Sequence, residues 1–160
     1  KDKKVLNLTA LIVNVADTMQ IKAKRYNSRI VPEGIETDYY VKGREDKLRQ
    51  VFINLVDNAI KYGEPGETIR LIAEAKKDKV CVSVVNRGQG IENKDLENIF
   101  EPFFRTDKEL SRELGSTGLG LSISRKIVKE HGGNIEADST PGEETVFMVS
   151  FPGIGSEVNV

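Results

Sequence analysis

Asn54, Asn58 and Lys61 recur at i, i+4 and i+7 within the stretch QVFINLVDNAIKYG, residues 50–63. At about 100° per residue they share a narrow wedge of one helix with Lys47 and Gln50. Amide oxygens can ligate a hard cation, and a lysine can neutralise an anion. Leu48, Val51, Phe52, Leu55, Val56 and Ala59 take the broad opposite side, with Ile53 and Ile60 between the two. A surface helix ordinarily carries a wide, charge-rich polar face. Asparagine is also a poor interior helix residue, because its amide competes for nearby backbone groups. Taken alone, this helix fits a solvated stripe and a ligand-binding wall equally well.

Two glycine turns add to the chemistry. Gly118-Leu-Gly120 opens an apolar-periodic segment, where free N–H groups and the helix dipole favour an anion. Ser116 and Thr117 add hydroxyl donors there. No Gly-Lys-Ser/Thr follows, so this is not a P-loop, and the third glycine of the dinucleotide fingerprint is missing. The HRD-type loop and DFG turn of protein kinases are absent as well. Asn86-Arg-Gly88-Gln-Gly90 ends a valine-rich run in the second glycine turn. Cys81 and His131 are the sole residues of their types. They are conceivable as a nucleophile and its base, but no third orienting group supports the pair, and Cys81 reads as an ordinary strand thiol.

The elements that must position these residues follow from periodicity. Residues 8–24 carry Leu8, Leu11, Ile12, Val15, Ala16 and Met19 at helical spacing, with Asn7 as the cap. Asn27 to Gly34 and Tyr39 to Gly43 read as two short strands flanking a Pro32/Gly34 turn. The amide-striped helix runs from Arg44 to Tyr62 and stops at Gly63. Thr68–Ala75 and Val80–Asn86 form a hairpin across Lys76-Lys77-Asp78-Lys79. Glu92–Asn98 reads as a short helix, and Phe100-Glu-Pro-Phe-Phe-Arg105 packs aromatics around a proline. Thr106–Gly115 is charged and without period, a length of chain usually reserved for lids or binding loops. A helix from Leu119 to Glu130, apolar at Leu119, Ile123 and Ile127, ends at His131-Gly-Gly. Asn134–Ser139 and Glu144–Phe151 close the chain as a hairpin around Pro141-Gly142.

Composition bounds what this assembly can do. The 160 residues, 38% hydrophobic and 31% charged, suit one globular domain with a sizeable core. A formal net charge of −1 provides no general field for polyanions, so nucleic acid is not an expected partner. With one cysteine and one histidine, neither a Cys/His zinc site nor an internal disulfide can form. No apolar run reaches the length of a membrane span, and no signal peptide is visible. The first residue is Lys1 rather than Met, so the sequence reads as an excised or processed fragment.

In order, the chain offers an amide-striped helix, a strand ending in N-x-G-x-G, an aromatic FEPFFR segment, a charged loop, and GSTGLGL opening a helix. This order resembles the ATP-binding catalytic domain of sensor histidine kinases, within the gyrase, heat-shock-ninety, histidine kinase and MutL superfamily. Asn54-Leu-Val-Asp-Asn58-Ala-Ile-Lys61-Tyr62 is similar to the family's N box, and Asn86-Arg-Gly88-Gln-Gly90 to its G1 box. Phe100 to Arg105 is similar to the F box, and Gly115-Ser-Thr-Gly118-Leu-Gly120-Leu121 to the G2 box. The resemblance spans residue 8 to about residue 151.

That resemblance implies ATP and Mg²⁺ as cofactors. Asn54 would supply an oxygen to the metal, Asn58 and Lys61 would reach the phosphates, and Tyr62 would pack against adenine. Gly88 and Gly90 would admit the base, with Asn86 accepting from its amino group. The resemblance also assigns Ile91, Phe100, Leu119 and Leu121 to the nucleotide pocket. Ser116, Thr117, Gly118 and Gly120 would meet the phosphates, and Arg105 would stabilise charge on the transferring group. A lid would run from about Phe104 to Thr117. Gln50 stands one turn before Asn54, where the hydrolytic branches carry a water-activating glutamate; an amide cannot serve as that base. Asn86 stands where the family usually has aspartate, which predicts weaker hold on adenine and looser exclusion of guanine.

The implied fold is a two-layer α/β (α+β) sandwich of the Bergerat type, a mixed sheet of about five strands with about three helices on one face. Residues 1–7 are expected as a linker remnant, 8–152 as the catalytic domain and 153–160 as a frayed tail. The implied function is transfer of the ATP γ-phosphate to a histidine on an absent dimerisation domain, which makes the chain part of a protein-histidine kinase in two-component signalling. His131, at a helix end, is not expected to be the acceptor. Implied partners are that domain and a response regulator, with the fragment a monomer, its parent a homodimer, and the location cytoplasmic, as a free protein or the inner part of a membrane-anchored sensor. An anti-sigma-factor-type serine kinase and a degenerate nucleotide-binding scaffold are the alternatives.

Overall fold

A computed structural model of the chain describes residues 2–105, 120–140 and 142–154. Helix α1 (Leu8–Arg25) starts where the Asn7 side chain accepts the Ala10 N–H at 3.0 Å. It ends in a basic turn, Lys22, Lys24 and Arg25, that complements the helix dipole. Helix α2 (Glu45–Tyr62) complements its dipole at both ends, with Glu45 and Asp46 in its first turn and Lys61 in its last. It stops at Gly63, whose N–H bonds the Ala59 carbonyl at 2.9 Å.

The main sheet among the described residues has five strands: β2 (Arg29–Glu33), β4 (Thr68–Lys76), β5 (Lys79–Arg87), β6 (Asn134–Ser139) and β7 (Glu144–Pro152), in the order β2-β4-β5-β7-β6. The β2–β4 pair is parallel and the others antiparallel, so the sheet is mixed as expected. A separate two-stranded sheet pairs β1 (Lys4–Asn7) with β3 (Tyr40–Gly43). A single-turn helix α3 (Asn93–Leu96) and a longer α4 (Gly120–Glu130) complete the described elements. Ile30, Leu71, Val82, Val149 and Ile135 come from all five strands on one face, and they merge with the apolar sides of α1, α2 and α4 into one buried core. The opposite face carries Arg70, Ile72, Ser83, Met148 and Glu136 in register. There Arg70 grips Glu33 through two hydrogen bonds of 2.8 and 3.0 Å, which lowers the Glu33 carboxyl below its ordinary value.

Three local expectations need correction. Pro32 is not in a turn: it lies inside β2, opposite Leu71, on an edge strand where a missing N–H costs no ladder bond. The turn begins at Gly34 (φ +73°), where an added Cβ would sit 2.0 Å from the Ala73 carbonyl oxygen. The strands on either side of this turn enter different sheets. Lys4–Asn7, expected within a linker, forms β1 against β3, and Leu6 stands opposite Val41. Gly153 and Ile154, expected as frayed tail, are bonded to the Asp78 and Tyr40 carbonyls at 2.8 and 3.1 Å. Residues 106–119, which include Ser116, Thr117, Gly118, Leu119 and most of the expected lid, lie outside the described residues, as do Pro141 and 155–160.

Candidate nucleotide site

The wedge on α2 survives folding. Leu48, Val51, Phe52, Leu55, Val56, Ala59 and Ile60 are buried, whereas Gln50 is exposed and Lys47, Asn54, Asn58 and Lys61 are half-buried. The wall facing Asn54 is the start of α4. The Asn54 amide nitrogen donates to the Gly120 carbonyl at 3.4 Å and to Ser124 Oγ at 3.3 Å. With its donors engaged there, Oδ1 is the end left for a hard cation. Ser124 is fully buried. The inward stripe of α4 is Ser124, Ile127 and Val128: Ile127 is buried as expected, whereas Ile123, expected inward, is exposed.

Lys61 is held at 3.2 Å by Asp57, one turn back on α2, and Asp57 also pairs with Lys22 of α1. Tyr62 is half-buried at the end of the helix. Just beyond it, Gly63 bridges to Gly88, and Glu64 N–H bonds the Arg87 carbonyl at 2.8 Å. These bonds bring the turn after β5 against the end of α2. A Cβ on Gly88 would stand 2.4 Å from the Tyr62 carbonyl oxygen, so this glycine is required by the backbone approach itself. Gly90 takes φ +75°, the left-handed region that favours glycine.

Beneath that turn lies a buried polar floor. Asn86, 6% exposed, stands opposite Thr145 on β7, and its side-chain amide bonds no described residue. Thr145 shares a 2.8 Å hydrogen bond with Ser139 of β6, and Ser139 Oγ accepts the Ile91 N–H at 2.8 Å. Phe100 meets Phe147 edge-on at 6.2 Å, behind the floor. Ile91, Leu121 and Phe104 pack on the core rim, and Arg105 is half-buried beside Phe104. The fold thus gathers Asn54, Gly120 and Leu121 at one wall, and Lys61, Tyr62, Asn86, Gly88, Gly90 and Ile91 around the end of α2.

Ser124, Asp57, Ser139 and Thr145 were not singled out from sequence. Three of them carry a readable signal, a polar residue at a core position. Thr145 shares its strand face with Phe147, Val149 and Phe151, Ser139 with Ile135 and Ala137, and Ser124 its helical stripe with Ile127 and Val128. Asp57 carries a weaker signal, the i, i+4 spacing to Lys61, while its second partner Lys22 comes from another helix. The Cys81–His131 pair is excluded by geometry. Cys81 projects from the sheet face opposite Val80 and Val82, whereas His131 meets Phe151, on the helix side, at 6.4 Å. Burial also pushes the Cys81 thiol upward, which disfavours the nucleophilic thiolate.

The residues present fit a nucleotide with a divalent cation. The Asn54 amide oxygen is left clear of the α4 wall that its nitrogen engages, and the buried Asn86 amide lies beneath a glycine turn. At Gly120 an added Cβ would meet no atom of the described residues within 4 Å, so their packing does not demand glycine there. Gly120→Ala is therefore expected to keep or raise the melting temperature, since alanine is favoured over glycine in helices by about 0.5–1 kcal/mol. Nucleotide binding, by contrast, should weaken by roughly tenfold. Parallel thermal melts and titrations of the variant read the two effects separately.

A mixed sheet beneath three helices, with an amide-lined wall and a glycine turn after β5, defines an ATP-binding α/β sandwich. The profile of the histidine kinase-, DNA gyrase B- and HSP90-like ATPases matches residues 43–154. Sensor histidine kinase WalK of Bacillus subtilis is 40% identical over 119 residues, covering 73% of this chain and 20% of its own length. Sporulation kinase A of the same organism is 36% identical over 151 residues, 94% of this chain and 24% of that protein. The chain thus spans a fifth to a quarter of these two relatives. The catalytic domain of histidine kinase ThkA superposes with a TM-score of 0.83 at 33% identity, covering 95% of this chain and 96% of that one. Full-length ShkA in complex with AMPPNP gives 0.83 at 25% identity, covering 95% of this chain and 31% of that one. The chain belongs to the histidine kinase-, DNA gyrase B- and HSP90-like ATPase family, as a catalytic ATP-binding domain of the sensor histidine kinase kind.

Proposed function

We propose that this domain holds ATP with Mg²⁺ and donates the γ-phosphoryl group to a histidine on a separate dimerisation domain of its parent protein. In that transfer the bond from the γ-phosphorus to the bridging oxygen of ADP breaks and a phosphorus–nitrogen bond forms. The observation that carries the reading is the Asn54 wall, where the amide's nitrogen is engaged by α4 and its oxygen is left for a cation. Asn54 would hold Mg²⁺, which supplies charge neutralisation at the phosphates. Lys61 and Asn58 would take phosphate oxygens, with Asp57 holding the lysine in readiness. Arg105, Gly120 and residues 116–119 would meet the phosphates, and Asn86, Tyr62, Gly88, Gly90, Ile91, Phe100 and Leu121 would form the base pocket.

Gln50, exposed one turn before Asn54, cannot deprotonate water. The bound nucleotide is thereby kept for another acceptor. His131 is not that acceptor, since it is buried and both of its ring nitrogens are bonded. The expected partners are the histidine-bearing domain of a homodimeric parent and a response regulator. We place the domain on the cytoplasmic side, and no described helix is long and apolar enough to cross a membrane.

Calorimetric titration with ATP, with and without magnesium, tests the binding. The expected result is magnesium-dependent affinity, with acid-labile phosphate appearing on an added histidine-bearing dimerisation domain and none on the chain itself. Acid-stable phosphate on a serine, or no magnesium-dependent binding, would overturn it. Asn86→Asp is expected to tighten ATP binding about fivefold, because a charged acceptor exceeds a neutral one by about 1 kcal/mol. The same change should reduce GTP binding, since a carboxylate cannot flip and donate as an amide can.

A further inference from the structure

We propose that His131 is a positioning residue for the nucleotide site, tying the end of α4 to the start of α2. The inference rests on the reading that Asn54 and the start of α4 face the nucleotide. At the first residue flanking α2, Arg44, the backbone N–H needs an acceptor that the helix cannot supply. A capping box would provide it from a glutamate or glutamine three residues on. Lys47 occupies that position, and Arg44 makes no side-chain cap bond. His131 Nε2 accepts this N–H at 3.1 Å, from 87 residues away. Nδ1 of the same ring lies 2.8 Å from the Ile127 carbonyl in the last turn of α4, to which it donates. One neutral imidazole with its proton on Nδ1 makes both bonds.

His131 is 8% exposed, and its ring is closely packed on the two sides that Phe151 and Gly43 occupy. It meets Phe151 edge-on, and Gly43 lies beside it, where an added Cβ would stand 2.8 Å from His131 Cδ2. The two helices are consequently antiparallel and tied at two points, near the two ends of α4. One tie is Arg44–His131, and the other is Asn54 to Gly120 and Ser124, ten residues or about 15 Å along α2. Two ties at opposite ends fix the axial offset of the pair. With the His131 tie gone, apolar packing and the tie at the nucleotide end alone set the offset, and the Asn54 wall loses part of its preset spacing.

Two variants separate the tie from mere filling of space. His131→Phe keeps ring volume and the edge contact but removes both polar atoms, whereas His131→Gln restores an acceptor near the Nε2 position. His131→Phe is expected to raise the Mg-ATP Kd of the full chain about tenfold, equivalent to 1.4 kcal/mol. The KM for ATP in phosphotransfer to an added acceptor domain should rise in proportion, with kcat at saturation unchanged. His131→Gln should return the Kd to within about threefold of wild type. Wild-type affinity in the phenylalanine variant, or equal losses in both variants, would overturn the proposal. Nitrogen NMR of the unmodified chain decides the case even where a variant does not fold. Protonated Nδ1 with a slowly exchanging Arg44 amide supports the tie, and protonated Nε2 refutes it. A wild-type chain that binds no Mg-ATP would instead sink the nucleotide reading and the positioning role with it, whichever tautomer NMR finds.

Discussion

Asn54→Ala is expected to abolish magnesium-dependent ATP binding, raising the Mg-ATP Kd by about a hundredfold, or ~2.8 kcal/mol. Two losses combine in this one substitution. The side-chain oxygen proposed to hold the cation disappears, and so do the hydrogen bonds from the amide to Gly120 and Ser124 that keep α4 beside α2. Titration with and without magnesium separates them. Loss of a metal ligand removes the magnesium increment and leaves metal-free binding largely intact, whereas loss of the wall lowers both. Asn54→Asp retains an oxygen and adds charge toward the cation, but sets a carboxylate against the Gly120 carbonyl. It should keep the magnesium increment while weakening metal-free binding. Equal affinity for the three proteins would remove Asn54 from the site.

The parts of this site that were legible in the sequence are those whose evidence is local. The amide wedge of α2 could be read because its residues repeat within one helix, and its stop at Gly63 because glycine and a following proline lie next to it. The strand ending in Asn86 and the turn through Gly88 and Gly90 could be read for the same reason. What escaped was set by partners distant in the chain. His131 reads as a helix terminator, and its bond to Arg44 crosses 87 residues. Lys4–Asn7 shows no alternation of its own and becomes a strand through pairing with β3. Pro32 misleads because the same missing N–H that suits a turn also suits the outer strand of a sheet. Ile123 misleads because periodicity alone cannot say which of two neighbouring stripes turns inward; the bond from Asn54 to Ser124 selects the other one.

Function and stability meet on the far side of α2. Phe52, two residues before Asn54, is fully buried and meets Phe151 edge-on at 6.5 Å with the ring planes 76° apart. Phe52→Ala is expected to cost about 3–5 kcal/mol, from lost burial and the cavity left behind. Against a typical total of about 5–15 kcal/mol that leaves the chain marginal. For a domain of this size the melting temperature should fall by roughly 6–20 °C. Phe52→Leu, which leaves a smaller void, should fall much less. Because Phe52 lies opposite the wedge, the folded fraction of Phe52→Ala should still bind Mg-ATP. Ligand at about a hundred times Kd adds ~2.7 kcal/mol to the folded state, so saturating Mg-ATP should recover much of the lost melting temperature. Asn54→Ala should show the reverse pattern, a modest loss in the melting temperature that Mg-ATP does not recover. A Phe52→Ala protein that melts like wild type, or one that Mg-ATP fails to stabilise, would contradict this division of α2 into a packing side and a binding side.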